Sequence, residues 1–410
     1  MSRVRGTVDP DFAPVAEVLR AVVHGWHDRR DRRGFAAGGA AVAVYLRGEL
    51  VVDAWTGVRN LAGDPWARDT IAMSFSTTKG VVSTVLHRLV DRGLVDYDAP
   101  VARYWPEFAQ AGKEGVTVRH LLTHSAGMHG ARALVVEPED ILDWDRMTAR
   151  LAAAAPAWAV GSRPGYQALT YGWLVGEVIR RAGGYATVSE AVRREIAEPI
   201  DADGMFVGVP PGDRPRLATL IGRPPEETPT GQVLDRLRGR SFLEPFVEAF
   251  DAPGFGALML TEHVHDGEIP SANGAFTARS LARMYAGLVS PEAFPGPPLV
   301  SAETLARATE VQTTARDGVV GVSLQWRLGY HLAATNRGVL PRGFGHFGYG
   351  GSGAWGDPTS GLAVGFVVNR VAGTPFADGR FLRVGSAAVR CARRREDPVT
   401  PPDRARDGAR

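Results

Sequence analysis

Apolar residues recur along this chain in two rhythms, one near 3.6 residues and one near 2, and their succession outlines an architecture. Residues 11 to about 30 repeat at helical spacing. Two apolar runs follow, 39–46 and 50–56, separated by Arg47-Gly48-Glu49, a pattern that predicts a β-hairpin. After a loop bearing glycine and proline to Asp69, the residues Val81, Val82, Val85, Leu86, Leu89 and Val90 mark a helix that Gly93 closes. Residues 140–154, 170–181 and 187–200 carry the helical period, with Gly183-Gly184 stopping the second. Residues 208–232 are rich in proline, glycine and charge and predict a long surface excursion. Helical spacing returns at 277–288 and 301–309; 319–328, 344–349 and 362–369 read as strands; residues 380–394 form a last helix. There is no internal repeat. Strands at both ends around a helical middle predict an α+β fold: one antiparallel sheet assembled from the two termini and flanked by terminal helices, with a helical domain inserted. The expected division is a discontinuous sheet domain (1–72 and 268–394), a helical domain (73–267) and a disordered tail (395–410). A cleft between the two layers is the expected place for a site.

Composition narrows the function classes. With 410 residues, 44% hydrophobic and 22% charged, the chain can bury a substantial core and reads as a soluble globular protein. The formal net charge is only +2, and the tail from Arg390 onward holds seven arginines against four acids, so the body is near neutral and no nucleic-acid partner is expected. Arg29, Arg30, Arg32 and Arg33 are interleaved by Asp28 and Asp31 and read as a solvated helix end. The single cysteine, Cys391, excludes an intramolecular disulfide and a cysteine metal cluster. No apolar stretch follows Met1–Gly6, and the longest apolar run, about 35–46, is too short and glycine-rich to span a bilayer, so the expectation is a cytoplasmic protein without a membrane partner. His263-Val264-His265-Asp266 lacks the spacing and the later histidine of a metal motif, and no metal is expected there. His24, His27, His87, His120 and His124 read as packing or surface residues. Trp158 and Trp355 suit either the cleft or the core.

The chemistry concentrates at Ser76-Thr77-Thr78-Lys79. A helix beginning near Ser76 places Lys79 one turn along on the same face. A serine hydroxyl is inert at neutral pH unless a base within hydrogen-bond reach takes its proton, and a lysine amine does so when burial depresses its pKa. The helix N-terminus adds partial positive charge beside the serine. Of the 47 basic residues only Lys79 and Lys113 are lysine. Arginine cannot deprotonate in a protein and lysine can, so Lys79 in such a chain points to a need for a neutral amine.

Further segments carry a resemblance. Val118-Arg119-His120-Leu121-Leu122-Thr123-His124-Ser125-Ala126-Gly127 resembles a segment common to serine β-lactamase-like hydrolases. The stretch from Trp158 through Gly161, Pro164-Gly165-Tyr166 and Thr170 to Gly172 is similar to one in family VIII carboxylesterases, relatives of class C β-lactamases and penicillin-binding proteins. Gly345-His346-Phe347-Gly348-Tyr349-Gly350-Gly351-Ser352 resembles their segment that replaces the K-T-G strand of the lactamases, and 6–10, 51–53 and 270–274 are similar as well. The resemblance covers roughly residues 6–393 and implies a β-lactamase/transpeptidase-like fold. It also implies a serine hydrolase acting on carboxylic esters through an acyl-enzyme on Ser76, with Lys79 and Tyr166 sharing the proton and either one as base. An oxyanion hole from the N–H groups of Ser76 and Tyr349 is implied, and His346, Gly348 and Trp355 are placed at a small-molecule ester or acyl substrate. Neither cofactor nor metal is expected. Val160 and Gln167 depart from the family's usual proline and histidine, Tyr171 rivals Tyr166, and both a Y-x-N asparagine and the K-T-G lysine are missing. The alternatives are transfer of the acyl group to an alcohol or amine, and weak β-lactamase action. G-x-S-x-G is absent, against an α/β-hydrolase elbow.

Overall fold

The two N-terminal apolar runs pair as expected, β2 (Gly39–Leu46) with β3 (Glu49–Gly57), in the computed structural model of the protein, which describes residues 3–24, 38–222, 239–371 and 378–396. They join β1 (Arg5–Val8), β7 (His331–Thr335), β8 (Gly338–Phe347), β9 (Gly353–Asp357) and β10 (Leu362–Val368) in one antiparallel sheet of order β1-β3-β2-β10-β9-β8-β7. The join between the two chain ends is β2 against β10, with Val44 opposite Val364. Both strands are buried on both faces, which is why they read as continuous apolar runs. Val42, Val44, Val364 and Phe366 face one hydrophobic cluster, under α1 (Ala13–His24) and the C-terminal helix Gly379–Glu396. Ala43, Tyr45, Ala363 and Val367 face the other.

That second face carries the helix Ala278–Val289, capped by Thr277, whose hydroxyl accepts from the Ser280 N–H. Beyond it lie α2 (Thr77–Asp91), α3 (Val118–Leu122), α4 (Trp144–Ala153), α5 (Thr170–Gly183) and α6 (Val188–Val192), with the helix Ala302–Thr309 against α2. One hydrophobic cluster runs without a break from Ala43 and Val367 of the sheet to Leu151, Val178 and Ile196 of this helical layer. A small second sheet, β4 (Ala72–Met73), β6 (Gly274–Phe276) and β5 (Met205–Val207), stitches the layers together. No helix among the described residues is long and apolar enough to cross a membrane.

Several expectations need correction. The first helix spans Ala13–His24 after a turn at Pro10–Phe12, and its expected continuation to residue 30 lies outside the described residues. The segment 187–200 splits into α6 and a π-helical turn, Arg193–Ala197. Within 208–232 there is a short helical turn at Pro211–Arg216, and residues 223–232 lie outside the described set, as does the tail after 396. Residues 319–328 form no strand, although Leu324, Trp326 and Leu328 alternate with polar neighbours. Their backbone bonds go to scattered partners: the Trp326 carbonyl accepts from Gln312 and the Leu324 carbonyl from Leu332. Val319 and Trp326 bury themselves against Tyr166 and Ala168 instead. An alternating pattern reports one buried face, and a loop that plugs a gap satisfies it as well as a ladder does. β9 was missed for the opposite reason: Gly353 and Gly356 make it look like a turn, yet a Cβ on Gly356 would stand 2.7 Å from the Val289 side chain, so the strand needs glycine to pass beneath that helix.

Candidate active site

Ser76 sits at the N-cap of α2, where β4 delivers the chain after pairing with β6. The preceding residue, Phe75, adopts φ 47°, a left-handed conformation that a bulky residue takes only when its surroundings impose it. The surroundings are visible: the Thr78 hydroxyl donates to the Phe75 carbonyl at 2.6 Å and accepts from the Gly274 N–H at 3.1 Å, while the Phe75 ring meets Tyr349 edge-on at 5.4 Å.

One turn along, Lys79 is fully buried, and its amine lies 3.0 Å from Ser76 Oγ, 2.7 Å from the Ala168 carbonyl and 3.0 Å from the Ser271 carbonyl. Burial holds its pKa well below the usual lysine value. A neutral amine has two N–H donors and one lone pair. The two carbonyls can only accept, so they take both hydrogens and leave the lone pair toward the serine hydroxyl, the one partner able to donate. Lys113 offers the contrast. It is also shielded from solvent, though less deeply enclosed, and its amine meets three carbonyls, those of Gln110, Ala152 and Ala154, which suit an ammonium with three hydrogens. Rarity of lysine therefore did not by itself mark a base. The third partner separates the two.

Tyr166 brings its hydroxyl to Ser76 and its ring 5.0 Å from the Lys79 amine. Burial, the largest cause, and the Asp317 charge push its pKa up, against the opposing pull of the Ser76 hydrogen bond, so the side chain stays a phenol. Tyr171, the rival, points elsewhere: its hydroxyl bonds Ser83 Oγ at 2.6 Å, a turn deeper along α2. His124, read from sequence as packing, lies beside Tyr166 with ring centroids 5.1 Å apart and is buried neutral. Asp317 and Trp326 also border Tyr166, the indole stacked at 5.5 Å, and sequence reasoning did not single out either one. The Asp317-Gly318 pair was the available signal, a dipeptide typical of turns whose side chain caps its own backbone.

The end of β8 closes the site. His346 Nδ1 lies 2.8 Å from the Phe347 carbonyl, which can only accept, so the ring's hydrogen is on Nδ1 and Nε2 presents a lone pair. That Nε2 is buried without a partner among the described residues. His331 is held in the same tautomer by the Leu332 carbonyl and accepts from the Phe347 N–H at 3.1 Å, fixing the strand end. Burial, followed by the neighbouring His331 and Lys79, keeps His346 neutral. The N–H groups of Ser76 and Tyr349 enter no backbone hydrogen bond among the described residues. Gly348 packs onto the helix start: a Cβ there would stand 2.1 Å from the Ser74 carbonyl oxygen. Gly348→Ala is expected to push the strand from the helix, lowering both melting temperature and kcat, the latter by roughly 10²-fold; wild-type kcat would mean the spacing is unimportant. Trp355, expected near substrate, is a correction. It lies on the opposite face of the sheet, buried with Phe381 and Val384 and packed near Gly385, because strand alternation points it away from the site. Trp158 stacks on His129 at 4.2 Å and carries Arg163 over its face.

The chain as a whole has relatives. The beta-lactamase family model matches residues 28–389. The chain is 39% identical over 411 aligned residues to the esterase/beta-lactamase LipL of Mycobacterium tuberculosis, covering 97% of this chain and 92% of that protein. Among solved structures, a family VIII carboxylesterase superposes with a TM-score of 0.82 at 33% identity, covering 95% of this chain and all of that one. A penicillin-binding protein homologue from Caulobacter crescentus gives 0.79 at 34%, with 95% and 100% covered. A serine at a helix start, a buried lysine one turn on, a tyrosine from the inserted helical layer and a glycine-bearing strand end thus occur in a chain that belongs to the beta-lactamase family.

Proposed function

We propose that the protein is a serine hydrolase that cleaves carboxylic esters through an acyl-enzyme on Ser76. The observation that carries this reading is the Lys79 amine, buried, with two carbonyls and no carboxylate among its hydrogen-bond partners, and 3.0 Å from Ser76 Oγ. In the forward step Ser76 Oγ attacks the acyl carbon and its proton passes to the Lys79 amine. The N–H groups of Ser76 and Tyr349 receive the developing oxyanion, aided by the positive end of α2. Collapse breaks the ester bond, and the departing alkoxide takes a proton from the Tyr166 phenol, which Lys79 resupplies. Water then repeats the sequence on the acyl-enzyme, with Lys79 again the base. Lys79, not Tyr166, is the base in this scheme because burial pushes the phenol's pKa up and so keeps its proton on, whereas burial lowers the amine's pKa and so favours its neutral form.

Substrate class follows from His346. In the K-T-G enzymes that the sequence resembles, a lysine supplies a cation near the carboxylate that β-lactams carry. Here that place holds a neutral imidazole whose hydrogen is committed to Phe347, so an anion meets a lone pair. Neutral esters have no such need. The test is kcat/KM for short p-nitrophenyl esters beside nitrocefin and benzylpenicillin at neutral pH. The ester value is expected to exceed the β-lactam values by orders of magnitude, and His346→Lys is expected to narrow the gap. Comparable values in the wild type would return the protein to antibiotic hydrolysis. Running the ester with an added alcohol or amine separates hydrolysis from acyl transfer.

A further inference from the structure

We infer that Asp317 is a positioning residue for Tyr166: one buried carboxylate gathers the Tyr166 backbone and the Trp326 indole and so holds the phenol against Ser76. The inference rests on the ester-hydrolase reading above. Tyr166 lies in the irregular stretch between α4 and α5, four residues before α5 begins, and no helix or strand fixes its backbone. Its N–H donates to Asp317 Oδ1 at 3.1 Å. The same oxygen accepts from the Val319 and Val320 N–H groups at 2.9 and 3.0 Å, and Oδ2 accepts from Trp326 Nε1 at 3.0 Å. The carboxylate is 1% exposed.

A buried carboxylate is unfavourable unless its lone pairs are filled, and here neutral N–H groups from two separate loops fill them. The consequence is geometric. The loop that Asp317 folds upon itself is the one that carries Trp326 to lie face to face with the Tyr166 ring, 5.5 Å away at an interplanar angle of 15°. A second link, the Gly318 N–H to the Pro164 carbonyl at 2.8 Å, runs beside the first. Backbone and ring of Tyr166 are therefore both referred to one side chain. A phenol that must reach both Ser76 and a departing alkoxide tolerates little displacement.

The test is Asp317→Asn, alone and with Trp326→Phe. Asparagine keeps an oxygen for the three backbone N–H groups but turns an N–H₂ toward the indole N–H, donor against donor. Phenylalanine removes the indole donor and retains a ring to stack on Tyr166. In the single variant kcat for a p-nitrophenyl ester is expected to fall about 10- to 100-fold while KM stays within roughly threefold, since substrate binding is untouched. The double variant is expected to recover at least about fivefold of that loss, although it alters one more side chain. A single variant with wild-type kcat, or a double variant poorer than the single, would overturn the inference. Should neither Asp317 variant fold, Trp326→Phe alone decides: it leaves Oδ2 without its donor, so kcat is expected to fall at constant KM, and unchanged kcat counts against the clamp. If the wild type neither hydrolyses esters nor takes a fluorophosphonate label at Ser76, the hydrolase reading itself has failed, an outcome separate from all of these.

Discussion

Ester hydrolysis is expected to vanish in Ser76→Ala, with kcat falling at least about 10⁴-fold, the scale seen when a nucleophile is removed from a concerted site. Alanine at the N-cap leaves the left-handed Phe75 and its Thr78 hydrogen bond in place. Lys79 loses only its hydroxyl partner and keeps the Ala168 and Ser271 carbonyls. The melting temperature should therefore change little, which separates lost chemistry from lost fold. A fluorophosphonate probe should label the wild type at Ser76 alone. Label recovered from another serine, together with surviving activity in the alanine variant, would transfer the nucleophile's role elsewhere.

Lys79→Arg is expected to be nearly as damaging as Lys79→Ala, with kcat reduced about 10²–10⁴-fold, the usual contribution of a general base. A guanidinium is permanently charged and can donate to both carbonyls, but it has no lone pair to receive the serine proton. The pH profile carries a second reading. Because burial lowers the Lys79 pKa, the reactive neutral amine accumulates as pH rises through that lowered value, so kcat/KM should climb on the acid side and then level. In the arginine variant the residual rate should lose this limb. Substantial activity in Lys79→Arg with the limb intact would mean that residue 79 supplies charge only and that Tyr166 is the base.

Much of this site could be read before any coordinates, and the reasons are local. The S-x-x-K spacing places two side chains on one helical face whatever surrounds them. The helical repeat that follows Ser76 marks where the helix begins, and the resemblance of its segment is what brings Tyr166 forward. The sheet's central pair, β2 and β10, was legible because strands buried on both faces leave continuous apolar runs. What failed was equally local in origin. Trp355 was assigned to the cleft although its side chain takes the other face of β9, a parity that sequence cannot supply until the register is known. Residues 319–328 alternate like a strand yet plug the wall beside Tyr166.

Sequence by itself determined the one-turn pairing of Ser76 with Lys79, the antiparallel sheet built from both termini and the helical layer between them, because periodicity and one-turn spacing are properties of the chain. Only the tertiary structure set the two lysines apart. Lys79 and Lys113 are both buried, and what differs is the third partner, a hydroxyl for one and a carbonyl for the other. The structure also decided that His346 faces the site with a lone pair, because the Phe347 carbonyl claims its hydrogen. Asp317 likewise reaches Tyr166 across 151 positions of sequence. Hydrogen-bond stoichiometry of this kind depends on groups far apart along the chain, and it exists only once the fold has brought them within 3 Å or so of one another.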